Sequence, residues 1–121
     1  MASRTARPIP PVMAASYPGF EGLVRKSVEG KAAYDLRELR SKLYAYYEAN
    51  KTCPPDLSAV ASEIPELKLP ASGHPPSGEV RVSTFADIRD TGGWLYVKAG
   101  AGSLYIDCVH PDARGKPWSS H

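Results

Sequence analysis

The sequence predicts an α+β domain in which a long N-terminal helix packs on a small antiparallel C-terminal sheet of three or four strands. Three observations predict this fold: a helical repeat of apolar residues over 20–50, an irregular proline-rich stretch over 51–79, and runs of β-branched and aromatic residues over 80–109. A length of 121 residues and a hydrophobic content of 42% are typical of one globular domain. We expect this domain to span residues 19–121, with the sheet and the C-terminal tail over 80–121.

The first 18 residues differ in composition from the rest of the chain. Four prolines prevent a continuous helix here, because each lacks an amide N–H and restricts the residue before it. They are Pro8, Pro10, Pro11 and Pro18. We therefore expect a flexible leader over residues 1–18.

The predicted helix over 20–50 carries one apolar stripe. Its members recur every three or four residues, which places their side chains on one helix face. The predicted packing stripe consists of Leu36, Leu39, Leu43 and Tyr47. Asn50 and the prolines that follow indicate the end of the helix. The stripe needs an apolar partner surface, which one face of the sheet can provide.

The connection over 51–79 is long for a compact domain, and its six prolines predict that any regular elements in it are short. Apolar residues recur along it, so we expect it to cross the sheet and to add anchors to the core. These residues are Leu57, Val60, Ile64, Leu67 and Leu69.

Three segments are typical of β-strands: 80–85, 94–98 and 104–109. The loop over 99–103 contains the glycines that a tight hairpin turn requires. Trp118 is the one large aromatic residue in the polar C-terminal tail, and we expect it to dock on the body of the domain.

The two cysteines follow the predicted helix and lie in the last predicted strand. If the helix lies across the sheet, Cys53 and Cys108 could meet and form a disulfide, which suits an oxidising compartment. Such a bond would stabilise the domain by roughly 4 kcal/mol on the chain-entropy model. The alternative is a pair of buried free thiols.

The chain contains no familiar catalytic or cofactor-binding motif, so we expect no enzyme, no cofactor and no metal site. None of His74, His110 and His121 has a ligand or base partner at motif spacing, and surface positions are expected for all three. Two cysteines with distant histidines do not match a zinc motif.

Acidic residues near the predicted sheet lack the dense spacing of a calcium loop. They are Asp87, Asp90, Asp107 and Asp112. We expect solvated turn carboxylates at all four positions.

A net charge of +2 and the absence of a basic, aromatic-rich run predict no nucleic-acid partner. Residues 1–52 are net basic and the remainder net acidic, a polarity that could guide packing between subunits.

Several motifs follow one another in an order that is typical of one family. Residues 26–47 contain KS-x-EG, LRS-x-L and YY, and residues 53–57 read CPPDL. The most specific segments are DTGGWLY over 90–96 and DARGKPWSS over 112–120. Across residues 19–121 the chain resembles the globular region of bacterial type IV pilins and type II secretion major pseudopilins. The resemblance implies a pilin-like version of the predicted fold.

The N-terminus departs from that family. Its members begin with a cleavage glycine, a methylated phenylalanine and an apolar membrane stem, and residues 1–18 contain none of these. Three explanations stay open: an isolated ectodomain, a wrongly started reading frame, or a split pilin. In a split pilin, a separate membrane-stem protein would be a partner of this chain.

The resemblance implies a structural subunit of a type IV pilus-like filament or of a type II secretion pseudopilus. Such a subunit packs against copies of itself and other pilin-like subunits, and an inner-membrane platform assembles it. The implied location is a periplasmic or extracellular filament, with inner-membrane anchoring before assembly if a stem is present. The alternative is a minor pilin that acts as a binding or adhesion module for DNA, a surface or a secreted substrate. Secretion pseudopilins can bind calcium near the sheet, but the acidic loop expected for it is missing here.

Overall fold

A computed structural model describes residues 18–121 as one long helix and a small mixed sheet. Helix α1 spans Pro18–Asn50, and three strands follow: β1 (Val80–Val82), β2 (Trp94–Val97) and β3 (Ser103–Ile106). The α+β class predicted from the sequence is therefore confirmed. The predicted leader, apart from Pro18 itself, lies outside the described residues.

Helix α1 packs against β3 through the leucines of the predicted stripe. Leu36, Leu39 and Leu43 are each 3% exposed or less, whereas Tyr47 is half-buried. The helix ends because Lys51 adopts a left-handed conformation with φ 59°, and its N–H donates to the Tyr47 carbonyl at 2.7 Å. The leucine stripe thus packs on one face of the sheet.

The sheet has the order β1-β2-β3, and its strands are not all antiparallel. Strands β2 and β3 form the expected antiparallel hairpin, but β1 pairs with β2 in parallel, with Val80 opposite Trp94. The prediction of a purely antiparallel sheet is therefore wrong. The cause is the segment 83–93, which is long enough to cross back to the start of β1 and contains a short 3-10 turn over Phe85–Asp87.

The connection after α1 contributes to the core as its apolar residues predict. Leu57, Leu67 and Leu69 are each 5% exposed or less, and Val60 and Ile64 pack against the same cluster. These anchors join the leucine stripe and the inward residues of the sheet in one hydrophobic core. Within residues 18–121, no helix has both the length and the apolar character that crossing a membrane requires.

The two tryptophans are both buried but differ in their polar contacts. Trp94 is 0% exposed, and its indole N–H donates to the Pro65 carbonyl at 2.9 Å. Trp118 is 1% exposed and stacks on the His121 ring with centroids 4.6 Å apart, so the tail docks on the body as expected. The indole nitrogen of Trp118 has no hydrogen-bond partner among the described residues.

This difference gives a matched pair of substitutions. Trp94→Phe should lower the free energy of unfolding by about 1 kcal/mol more than Trp118→Phe, because only the first substitution removes a hydrogen bond and leaves a carbonyl unpaired. Both variants lose similar apolar area, so the comparison isolates the polar term. Urea denaturation of the two purified variants measures it, and equal losses would contradict the assigned contacts.

The predicted disulfide between Cys53 and Cys108 is not formed, since both residues are free thiols. The Cβ of Cys53 lies beside Gly102, just before β3, whereas Cys108 follows the other end of that strand. A strand of this length spans about 13 Å, and a disulfide requires Cα atoms within about 7 Å. The expectation was wrong because Cys53 lies near the start of β3 and Cys108 follows its end.

Candidate functional site

Four side chains with nitrogen, oxygen and sulfur donors meet beside the end of β3. The cluster consists of His74, Asp90, Cys108 and His110, and one donor atom from each lies within 4.8 Å of all the others. We refer to these residues as the His–Asp–Cys cluster. They come from three separate segments of the chain, so the fold and not the sequence spacing brings them together.

Asp90 Oδ1 is the central atom of the cluster. It lies 3.0 Å from His74 Nε2 and 3.3 Å from His110 Nδ1. The same His110 nitrogen lies 3.6 Å from Cys108 Sγ. The two imidazole rings meet edge to face, with centroids 5.3 Å apart. Cys108 is fully buried, and the other three side chains are partly exposed, so the cluster is partly open to solvent.

His74 is fixed by its own loop and by a close approach to Gly92. Its main-chain N–H donates to Ser72 Oγ at 3.1 Å, which closes the local turn. A Cβ atom on Gly92 would lie only 2.6 Å from His74 Cγ, and Gly92 has φ +83°. A residue without a side chain is therefore needed at position 92 for the imidazole to reach Asp90.

Asp90 is held in a left-handed conformation, with φ 61°. Its N–H donates to Asp107 Oδ1 at 2.9 Å, and its own carboxylate accepts the Val109 N–H at 3.0 Å. Non-glycine residues adopt this backbone conformation rarely, and the surrounding contacts have to maintain it. These contacts aim Oδ1 at the two histidines.

Asp107 is completely buried and holds the main chain of Asp90 in place. Its carboxylate accepts four hydrogen bonds, from the Arg89 and Asp90 amides, the Thr91 hydroxyl and the Arg81 guanidinium, at 2.7–2.9 Å. Burial alone would raise the pKa of Asp107, but these donors hold it below its ordinary value. The expectation of a solvated turn carboxylate is wrong here.

Asp112 is also buried, at 8% exposure, contrary to the same expectation. It accepts the amides of Arg114 and Lys116 and lies 2.8 Å from His121 Nε2. All three histidines therefore have a carboxylate partner. Sequence spacing could not show this, because His74 and Asp90 are brought together only when the connection folds over the sheet.

The cluster lacks the geometry of a nucleophilic Cys–His–Asp site. Burial raises the pKa of the Cys108 thiol to about 11, so the thiol form dominates near neutral pH. His110 presents the same nitrogen to Cys108 and Asp90, whereas a triad uses one ring nitrogen for each partner. Burial alone would raise the pKa of Asp90, but the hydrogen bond from His74 helps to keep it lowered. Hydrogen bonding and ligand binding are the chemistry that suits this arrangement.

The second candidate surface is the side of α1 that faces away from the sheet. Leu23, Tyr34 and Tyr44 lie there, 67%, 51% and 60% exposed. Leu23 and Tyr34 are eleven residues apart, close to three full turns of about 3.6 residues, so they share one line along the helix. We call these three residues the outward helix face.

Exposed charges differ between this helix and the connection that follows it. Basic side chains project from α1 at Lys26, Arg37 and Lys42. The connection exposes acidic side chains at Glu63, Glu66 and Glu79. Each surface also exposes two side chains of the other sign, Glu38 and Glu48 on α1 and Lys51 and Lys68 on the connection, so it is the net charge that is basic for α1 and acidic for the connection. This difference could favour contact between copies of the chain.

No protein-family model matches this chain, and no curated protein or solved structure gives a significant match.

Proposed function

We propose that this chain is a structural subunit of a type IV pilus-like or type II secretion pseudopilus filament and acts by packing against other subunits. The outward helix face carries the proposal. The leucine stripe of α1 is already covered by the sheet, yet the opposite side of the same helix exposes Leu23, Tyr34 and Tyr44. Leu23 and Tyr34 share one line and Tyr44 lies beside it, so this side of the helix offers apolar groups to a second subunit. The motifs at 90–96 and 112–120, which resemble those of type IV pilins and major pseudopilins, support the same proposal.

The proposed occupant of the outward helix face is a second copy of this chain. The exposed charges of α1 are net basic and those of the connection are net acidic, so a contact between α1 of one copy and the connection of another would pair opposite charges. A head-to-tail contact whose rotation does not close into a ring generates a helical filament from repeated copies. In this proposal the filament lies in the periplasm or outside the cell, and an inner-membrane platform adds the subunits.

The proposal predicts that Leu23→Asp abolishes incorporation into filaments without unfolding the subunit. Leu23 is 67% exposed, so a carboxylate there costs little in the free subunit but would be desolvated in a contact. The measurement is the amount of epitope-tagged full chain in the filament fraction of cells that naturally produce it, collected both by shearing and from the opened periplasm, because the proposed filament lies in one of these places. Circular dichroism and the melting temperature of the purified variant report its fold.

Leu23→Met is the matched control, because it preserves an apolar side chain of similar size. It should enter the filament fraction as the unsubstituted chain does, and Tyr34→Asp should be excluded like Leu23→Asp. If the unsubstituted chain never appears in that fraction, or if Leu23→Asp appears in it undiminished, the chain is not a filament subunit that packs through this face.

A further inference from the structure

We infer that the His–Asp–Cys cluster is a binding site for one zinc ion. It offers two imidazole nitrogens, one thiol sulfur and one carboxylate oxygen, which are the three donor types that zinc uses in proteins. Calcium and magnesium prefer all-oxygen sites, so the donor set favours a transition metal over either. The inference is independent of the filament proposal.

The spacing of the donor atoms fits a tetrahedral ion. Zinc bonds of about 2.0–2.3 Å place neighbouring donors roughly 3.3–3.8 Å apart. Three separations are close to this range: 3.0 Å for His74–Asp90, 3.3 Å for His110–Asp90 and 3.6 Å for Cys108–His110. The other three pairs of donor atoms lie within 4.8 Å, so side-chain shifts of up to about 1 Å would bring all four donors to coordination distance.

The charges of the four ligands match a divalent cation. Asp90 supplies one negative charge, and Cys108 supplies a second when its proton leaves on metal binding. The two imidazoles bind as neutral ligands. A bound Zn²⁺ would therefore make the site electrically neutral, which suits a cluster whose sulfur is fully buried.

The residues around the cluster fix the ligands in position. Gly92 leaves the space that the His74 ring occupies, and Val109 N–H holds the Asp90 carboxylate. Asp107 accepts the Asp90 amide and so fixes the main chain that carries this ligand. Contacts of this kind, which orient the ligands of a metal, are a regular feature of metal sites in proteins.

With four protein ligands, the site would be structural. It would tie the connection that carries His74 to the β1–β2 crossover that carries Asp90 and to the segment after β3 that carries Cys108 and His110. Catalytic zinc sites keep one position open for water, which four protein ligands would fill. The domain would thereby gain the cross-link that the predicted disulfide does not provide.

The test uses the full chain, freed of metal with a chelator, kept reduced and titrated with ZnCl2 alone. Mass spectrometry of the metal content should give one zinc per chain after desalting, and zinc should raise the melting temperature. Substitution with Co²⁺ alone should give the visible bands of a tetrahedral site and a sulfur-to-cobalt charge-transfer band. The charge-transfer band reports a cysteine ligand directly.

His110→Ala should weaken zinc binding by roughly tenfold or more and abolish the rise in melting temperature, because it removes one ligand. This ligand is partly exposed, so its loss leaves the core intact. Cys108→Ser should remove the charge-transfer band. His121→Ala and Cys53→Ser are matched controls outside the cluster and should bind zinc as the unsubstituted chain does. The inference is overturned if the unsubstituted chain retains no zinc, or if the controls lose as much affinity as His110→Ala.

Discussion

Leu39→Asp is expected to abolish the folded state of the domain. Leu39 is 3% exposed in the middle of the leucine stripe, where α1 packs on the sheet. Truncating a buried leucine costs about 2–5 kcal/mol, and an unpaired buried carboxylate adds a desolvation penalty. The total approaches the stability of about 5–15 kcal/mol that is typical of a whole domain. Near-ultraviolet circular dichroism and thermal unfolding at neutral pH measure the loss of tertiary structure.

Leu23→Asp is the matched control for this experiment, because it makes the same substitution on the opposite side of the same helix. Leu23 is 67% exposed, and a charge there stays hydrated in the free subunit. Its melting temperature should stay close to that of the unsubstituted chain. A cooperative melt of Leu39→Asp at an unchanged temperature would mean that the leucine stripe does not hold the helix on the sheet.

The helix and the core anchors could be predicted from the sequence because their signals are local. The leucine spacing and the proline stop determine α1 within short windows, and Leu57, Leu67 and Leu69 stand out in a polar connection. The direction of β1 could not be predicted in the same way. A strand of three residues has no periodicity that distinguishes parallel from antiparallel pairing, and the path of 83–93 decides between them.

The His–Asp–Cys cluster was missed because its signal is not local. His74 and Asp90 lie in different loops, and only Cys108 and His110 are close in sequence. Two features of the sequence point toward the cluster. Gly92 lies beside a predicted strand, and Asp107 alternates with the apolar residues of β3. In the structure, Asp107 is buried, and Gly92 leaves room for the His74 ring. These contacts explain why aspartate and glycine stand at positions 107 and 92, which sequence spacing alone does not.

Asp107→Asn is expected to lower the free energy of unfolding by about 3 kcal/mol or more, because it breaks a buried ion pair and places an amide N–H₂ against donors. The Asp107 carboxylate acts only as a hydrogen-bond acceptor, and its Oδ2 lies 2.7 Å from Arg81 Nη2. Urea denaturation in the presence of a chelator measures the change without any contribution from metal. Asp87→Asn is the matched control: Asp87 also pairs with Arg81, at 3.0 Å, but its side chain is 31% exposed, so water replaces the lost contact. Equal losses in the two variants would show that burial of Asp107 does not set the strength of this network.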